Sequence, residues 1–184
     1  GYTLQLPDTY NNYSYYGRGP VNNYADRKTA QNIELHKSTV KDQFVPWPNP
    51  QSMSNNEEVR WATLTDSHGD GVVFVAKDKM STSALPWSEM DVTLASHPYK
   101  LPTSTGTHIH LDAGVTGLGG NSCGQGPPLP QDRVKASSTA LGFIIRPIKK
   151  NDYSSKAAVT VAGDMPLSIT RNRMGAVTIA SEKE

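Results

Sequence analysis

Val59-Arg-Trp-Ala-Thr-Leu-Thr-Asp66, the turn Ser67-His-Gly-Asp-Gly71 and the return Val72-Val-Phe-Val75 decide how this chain folds. Val59, Trp61, Thr63 and Thr65 alternate with Arg60, Ala62, Leu64 and Asp66, which is the period of a strand written in strand-forming residues. The return has no polar alternation and reads as a more fully buried strand, so the two segments form a hairpin. Working outward, Thr107, Ile109 and Leu111 alternate with His108, His110 and Asp112. Ala140-Leu-Gly-Phe-Ile-Ile145 is another buried strand, closed by Pro147. Beyond Lys149-Lys-Asn-Asp152 come three more strand-like runs, at 158–161, 167–170 and 176–179, with turns at Gly163-Asp164 and 172–175. A helical turn is expected only within 88–95, where Pro86 starts it and Ser88 caps it.

Composition agrees with an all-β chain. Its 184 residues suit one domain with room for a core, while 13 prolines, 15 glycines and 36% hydrophobic residues favour short strands joined by turns. The net charge of +1 contains no block of like charge, so there is no electrostatic footprint for nucleic acid. No apolar run approaches the roughly 20 residues that span a bilayer, so no membrane association is expected. A single cysteine, Cys123, excludes an intramolecular disulfide and leaves the compartment unassigned.

Tyr16-Gly-Arg-Gly-Pro-Val-Asn-Asn-Tyr-Ala-Asp-Arg27 is too particular to be generic loop composition. Gly17 and Gly19 bracket Arg18, Pro20 stiffens the exit, and Tyr24 is followed by Asp26 and Arg27. This block resembles the signature of the C-terminal sandwich domain of glycoside hydrolase family 2 beta-galactosidases (the small-chain or domain 5 type). The segment Val59 to Asp66 with Gly69 and Gly71 looks like the same domain's next block. Ala95-Ser-His97 with Leu101, Leu111-Asp112 leading to Gly117-Leu-Gly-Gly120, and Phe143-Ile-Ile-Arg-Pro147 follow in family order, over roughly 4–148. The resemblance implies an antiparallel supersandwich related in fold to galactose mutarotase, incomplete at its N-terminal side. It divides the chain into a sandwich fragment, 1–148, and extra C-terminal strands, 149–184, that pack on or extend it. Sheet edges left open by a missing segment need cover, for instance by a second copy of the chain in a homo-oligomer.

Retaining glycosidases use two carboxylates about 5–5.5 Å apart. None of the 17 acidic residues sits in a glycosidase motif. The resemblance implies that the catalytic pair lies in a barrel domain of a parent enzyme, so this chain alone is expected to be inactive. It implies no cofactor here, any Mg or Na ion belonging to the parent's catalytic domain. Glu57 and Glu58 read as solvated loop charges. Asp112, between a strand and a glycine-rich turn, suits bonding to nearby backbone amides. His108 and His110 share a face, but the further ligands a zinc site needs are missing. His97 is expected to be buried and hydrogen-bonded. Mutarotase chemistry would need a histidine acid and a glutamate base. Nothing in the spacing selects such a pair from His36, His97, His108 and His110.

Two segments are candidates to meet sugar. One is the turn Asn121-Ser-Cys-Gly124, with Asn121, Ser122 and Cys123 where relatives carry a tryptophan after Gly-Leu-Gly-Gly. The other is Pro50-Gln-Ser-Met-Ser-Asn-Asn56, with Ser54 and Asn55, which by resemblance matches a mobile loop near the active site. Its Ser and Asn content suits a gate. Arg18, Asp26, Arg27, Arg60 and Asp112 are assigned structural roles. Arg18, with Asp26 as a candidate partner, is expected to organise the first loop. Trp61 is expected in the core, and Trp47 and Trp87, flanked by prolines, to pack against the sandwich. These readings leave two principal functions: a non-catalytic part of a beta-galactosidase that buttresses its barrel and lines the galactoside cleft, or an autonomous carbohydrate-binding module with Trp47 or Trp87 as platform. A mutarotase-like enzyme is the third.

Overall fold

The computed structural model describes residues 1–118, 126–137, 139–153, 167–171 and 177–181, the last two stretches as backbone. Strands β1 (Tyr2–Leu6), β2 (Asn12–Gly19), β3 (Asn32–Thr39), β4 (Asn56–Thr65), β5 (Gly71–Leu85), β6 (Thr107–Asp112) and β7 (Phe143–Ile148) form one antiparallel sheet. Their order is β1-β6-β5-β4-β2-β3, with β7 also on β5. Strands β8 (Leu167–Arg171) and β9 (Val177–Ser181) pair in a separate two-stranded sheet. The fold is all-β and antiparallel.

The hairpin read from sequence is β4 and β5, with Thr65 opposite Gly71 and Trp61 opposite Val75. Its turn is held by the Asp66 carboxylate, which accepts from the amides of His68 and Asp70 at 2.8 and 3.0 Å. This is an Asx-type turn. Strand β5 is long because it changes partners. Along Gly71–Ala76 it pairs with β7, along Ser81–Leu85 with β6, and the exposed Lys77-Asp78-Lys79 lies between. Tyr2 of β1 meets Phe143 of β7 edge-on at 5.4 Å, so the sheet curls round its own core in a sandwich-like arrangement.

Alternation then sorts the residues. Tyr13, Tyr15, Ala62, Leu64, Phe74, Ile109 and Leu111 form the main core. On the opposite face Val73, Val75 and Ile148 are covered by Tyr153, with Trp61 packed against them. A third cluster joins Met53, Leu85 and Val92 to Phe44, Trp47 and Trp87. Helix α1 (Glu89–Leu94) begins as expected: the Ser88 hydroxyl accepts from the Asp91 amide and the Asp91 carboxylate accepts from the Ser88 amide, a reciprocal capping box.

Two expectations are corrected. The last sheet strand runs Phe143–Ile148, not 140–145, and is half-buried over most of its length. It contains Pro147 instead of ending before it, which an edge strand tolerates because one row of its amides has no ladder partner. Glu57 and Glu58 are not solvated loop charges. Both lie in β4 at an irregularity, where register shifts between Asn56 and Val59 and again between Val59 and Trp61, and where Glu58 has φ 54°. Such a bulge re-aims side chains that strict alternation would send elsewhere. Glu57 is 8% exposed. The expected run at 158–161 and the turns at 163–164 and 172–175 lie outside the described residues.

Candidate functional site

The first motif folds into a scaffold of hydrogen bonds. Gly17 is required where β2 crosses the bulge, since a Cβ there would stand 2.7 Å from the Val59 side chain and 2.8 Å from its Cα. Arg18 donates from Nη1 to the carbonyls of Gln31 at 2.9 Å and Lys28 at 3.4 Å, both in the loop after β2. Its charge partner is Glu58, with Nε 3.2 Å from Oε1 outside hydrogen-bond alignment, and not Asp26. Lys28 Nζ completes the cluster, 3.2 Å from Glu58 and 3.7 Å from Glu57. Burial alone would raise the Glu58 carboxyl; the adjacent cations of Arg18 and Lys28 outweigh it, and the group sits below the usual carboxylate range. Arg60 turns back to donate to the Glu58 carbonyl. Arg27 closes a tight turn by exchanging backbone bonds with Tyr24.

Asn23, which sequence reasoning passed over, is the centre of this scaffold. Its amide nitrogen donates to the carbonyls of Arg18 and Val21, its side-chain oxygen accepts from the Glu57 amide, and its backbone donates to Asn55. Asn55 answers by donating to the Asn23 carbonyl at 2.8 Å and to Glu57 Oε1 at 3.0 Å. Ser81 donates to the same Glu57 oxygen at 2.7 Å. In a low-dielectric interior each such group needs its partner, so the network fixes one loop conformation.

That outcome changes the reading of 50–56. Met53, Ser54, Asn55 and Asn56 are all buried, Ser54 donates to the Gln43 carbonyl, and Asn56 donates to the Ser54 carbonyl. The gate expected from composition is a built-in strap at these four positions. Of the two candidates for sugar contact, Ser54 spends its hydroxyl inside the domain, while Asn55 uses its side-chain nitrogen there and also lines the smaller cavity of a surface groove. The exposed members are Gln51 and Ser52, and the buried Tyr24 hydroxyl holds the Ser52 carbonyl at 3.4 Å.

Gln51 and Ser52 border a surface groove made of two adjoining cavities of about 460 and 340 Å³. The cavities share Ser52, Met53, Ser83, Glu89 and His110. The larger has an apolar side formed by Leu85, Trp87 and Val92; the smaller continues to Asp112 and the segment Gly114 to Thr116. Hydroxyl, carboxylate, amide and imidazole groups beside an apolar wall suit a ligand carrying both hydroxyls and C–H faces.

The groove leads toward the glycine-rich turn. Asp26 accepts the Leu118 amide at 3.0 Å. Gly117 presses so closely on that carboxylate that a Cβ would lie 2.5 Å from it. The Gly117 amide donates to the Asp132 carbonyl at 2.9 Å. Asp26 therefore fixes the stem of the loop that carries Asn121, Ser122 and Cys123, residues that lie outside the described ones.

The remaining residues fall into place around this. Asp112 lies 3.6 Å from the Gly1 nitrogen; burial raises its carboxyl, partly opposed by His110. His110 Nδ1 lies 3.1 Å from the Thr3 hydroxyl and 3.6 Å from Glu89, whose side chain is 81% exposed. His108 is buried and bonded to Thr105. His97 is exposed and stacked on Tyr99, not buried as expected, because it sits in the loop after α1. Among the described residues no three His, Cys, Asp or Glu side chains are placed to hold a metal ion. Trp87 and Trp47 pack in the third cluster, Trp87 donating to the Pro102 carbonyl at 2.7 Å.

A family model described as beta galactosidase small chain matches residues 1–145. A beta-galactosidase of Priestia megaterium is 32% identical over 149 residues, 80% of this chain and 14% of that protein. One from Lactobacillus delbrueckii subsp. bulgaricus is 34% identical over 152 residues, again 80% of this chain and 15% of its relative. One from Kluyveromyces lactis is 27% identical over 143 residues. The chain thus spans about one seventh of the length of these relatives.

Proposed function

Because the chain belongs to the beta-galactosidase small-chain family, we propose that it is the non-catalytic C-terminal part of an enzyme hydrolysing terminal beta-D-galactosides. In this reading it buttresses the catalytic barrel and presents its groove to the substrate cleft. Asn121, Ser122 and Cys123 and the exposed Gln51 and Ser52 are the groups that approach the sugar. One observation carries the proposal: the family motif does not end in itself, since Asp26 grips the stem at Gly117-Leu118 and Tyr24 grips Ser52, the stem of each candidate loop. Two loops held from one centre present a fixed surface to a neighbouring domain, which is how remote residues position a substrate. The binding-module reading needs exposed aromatic platforms, and both tryptophans nominated for that role are partly buried in the third cluster, Trp87 showing the part that walls the groove.

The chain alone should not turn over a chromogenic beta-galactoside, whereas a full-length polypeptide that includes it should. Turnover by the isolated chain that vanished in Glu89→Gln would overturn the proposal and favour chemistry at the His110–Glu89 contact. In the full-length enzyme, Asn121→Ala and Ser122→Ala should each raise KM with little effect on melting. Unchanged kinetics in both would confine the turn to a structural role.

A further inference from the structure

The face of the sheet opposite the main core is only partly covered. Along one register row it presents Leu35 of β3, Tyr16 of β2, Trp61 of β4, Val75 of β5 and Ile144 of β7. Tyr153 lies on this face, its ring 5.0 Å from Trp61, and screens Val73 and Val75. Toward the β3 edge the cover stops, leaving Tyr16 39%, Ile33 36% and Leu35 43% exposed. Neighbouring strands stand about 4.8 Å apart, so the apolar row is on the order of 19 Å long.

The hairpin β8–β9 has the matching deficiency. Its register sets Ile169 opposite Ile179, Leu167 opposite Ser181 and Arg171 opposite Val177. By the period of two, Leu167, Ile169, Val177 and Ile179 share one face with Arg171 and Ser181 at its ends, and Ser168, Thr170, Thr178 and Ala180 share the other. A two-stranded sheet by itself is marginal in water, and an apolar face of this kind needs a surface to cover. Five-residue strands are about 17 Å long, enough to cover the exposed Ile33, Leu35 and Tyr16 at the β3 end of the row. The chain is long enough to bring it there: Tyr153 is already on the face, and 13 intervening residues can span at most roughly 43 Å.

We propose that strands β8 (Leu167–Arg171) and β9 (Val177–Ser181) dock by their Leu167/Ile169/Val177/Ile179 face on the Ile33/Leu35/Tyr16 surface, adding a second layer to this side of the sheet. The docked hairpin covers apolar surface without lengthening the sheet, and the edge of β3 stays open beside it.

The test is thiol labelling of Leu35→Cys in a full-length chain carrying Cys123→Ser. Docking shields the thiol, so adding Ile169→Asp and Ile179→Asp should accelerate labelling roughly tenfold or more, while Ser168→Asp with Thr170→Asp, on the other face, should not. Equal rates in all three chains overturn the proposal, as does acceleration by the polar-face pair. Shielding that disappears on dilution assigns the surface to a second copy instead. Hydrogen exchange decides between face and edge: β3 amides slowed by the intact hairpin would mean that it pairs with the edge, which also overturns face docking.

Discussion

Replacing Arg18 with alanine removes a cation from a cluster whose geometry fixes the size of the loss. The Arg18 and Glu58 side chains are 23% and 19% exposed, between the two regimes for ion pairs. An exposed pair contributes about 0–1 kcal/mol, while breaking a buried one costs about 3–5 kcal/mol. Glu58 is not stranded, because Lys28 Nζ stays 3.2 Å away. The Gln31 and Lys28 carbonyls, however, lose a charged donor. Together these put the destabilisation at about 2–3 kcal/mol, below the fully buried case. For a chain of this size that lowers Tm by roughly 4–12 °C. Urea denaturation of wild type, Arg18→Ala, Glu58→Gln and the double variant measures it, and the cycle should return a coupling of about 0.5–3 kcal/mol. Its pH dependence has a definite sign. The Glu58 carboxyl is depressed in the folded state, so its contribution is present above the ordinary value of 4.5 and is lost as pH falls through the folded value. The stability gap between wild type and Glu58→Gln should therefore close in acid. An Arg18→Ala protein that melts like wild type, or a gap that widens in acid, would refute this account of the cluster.

Ser88→Ala should lower stability by about 1 kcal/mol through loss of the cap, and Asp91→Asn should do so less as pH falls, because hydrogen bonds from Ser88 and Thr105 hold the Asp91 carboxyl low; melting curves across acidic pH check both. Gly117→Ala drives a methyl into the Asp26 carboxylate, so it should release the Leu118 amide bond, seen as faster exchange at Leu118, while the core amides of β4 stay protected. Galactose titrated into the isolated chain should bind weakly or not at all, since the proposed function puts most partners of the sugar in another domain. Saturable NMR shifts at low concentration would contradict this, and shifts centred on Trp47 or Trp87 would revive the binding-module reading.

The β4–β5 hairpin, the alternating β6 and the Ser88 cap were legible because each is set by local spacing. The main core followed, since alternation sends Ala62 and Leu64 one way and Trp61 the other. What escaped depends on departures from the period. The bulge at Glu58 has no marker in composition, so two adjacent glutamates looked like loop charges when they are held by Arg18, Lys28, Ser81 and Asn55. Asn23 was passed over for a related reason: the partners that tie it to β4, Asn55 and Glu57, lie more than 30 residues away in the chain. The Ser- and Asn-rich strap at 53–56 was mistaken for an adaptable loop because composition does not say whether polar groups face water or one another. The Arg18 loop was legible; its charge partner was not.

The partner change along β5 governs the order in which this domain can be assembled during synthesis. A growing chain can pair β2 to β5 as soon as Leu85 has emerged, but one side of β5 stays bare until β6 and then β7 arrive. Roughly sixty residues separate Leu85 from the end of β7, which at 5–20 residues per second is about 3–12 s of ribosome time. Strand β1 waits as well, because Tyr2 pairs with Leu111 and has no partner before it. For those seconds the apolar stretch Val72 to Ala76 is an open template for foreign strands. The lysines and aspartate at 77–79 interrupt that edge at its midpoint, where they discourage a neighbouring nascent chain from running along its whole length.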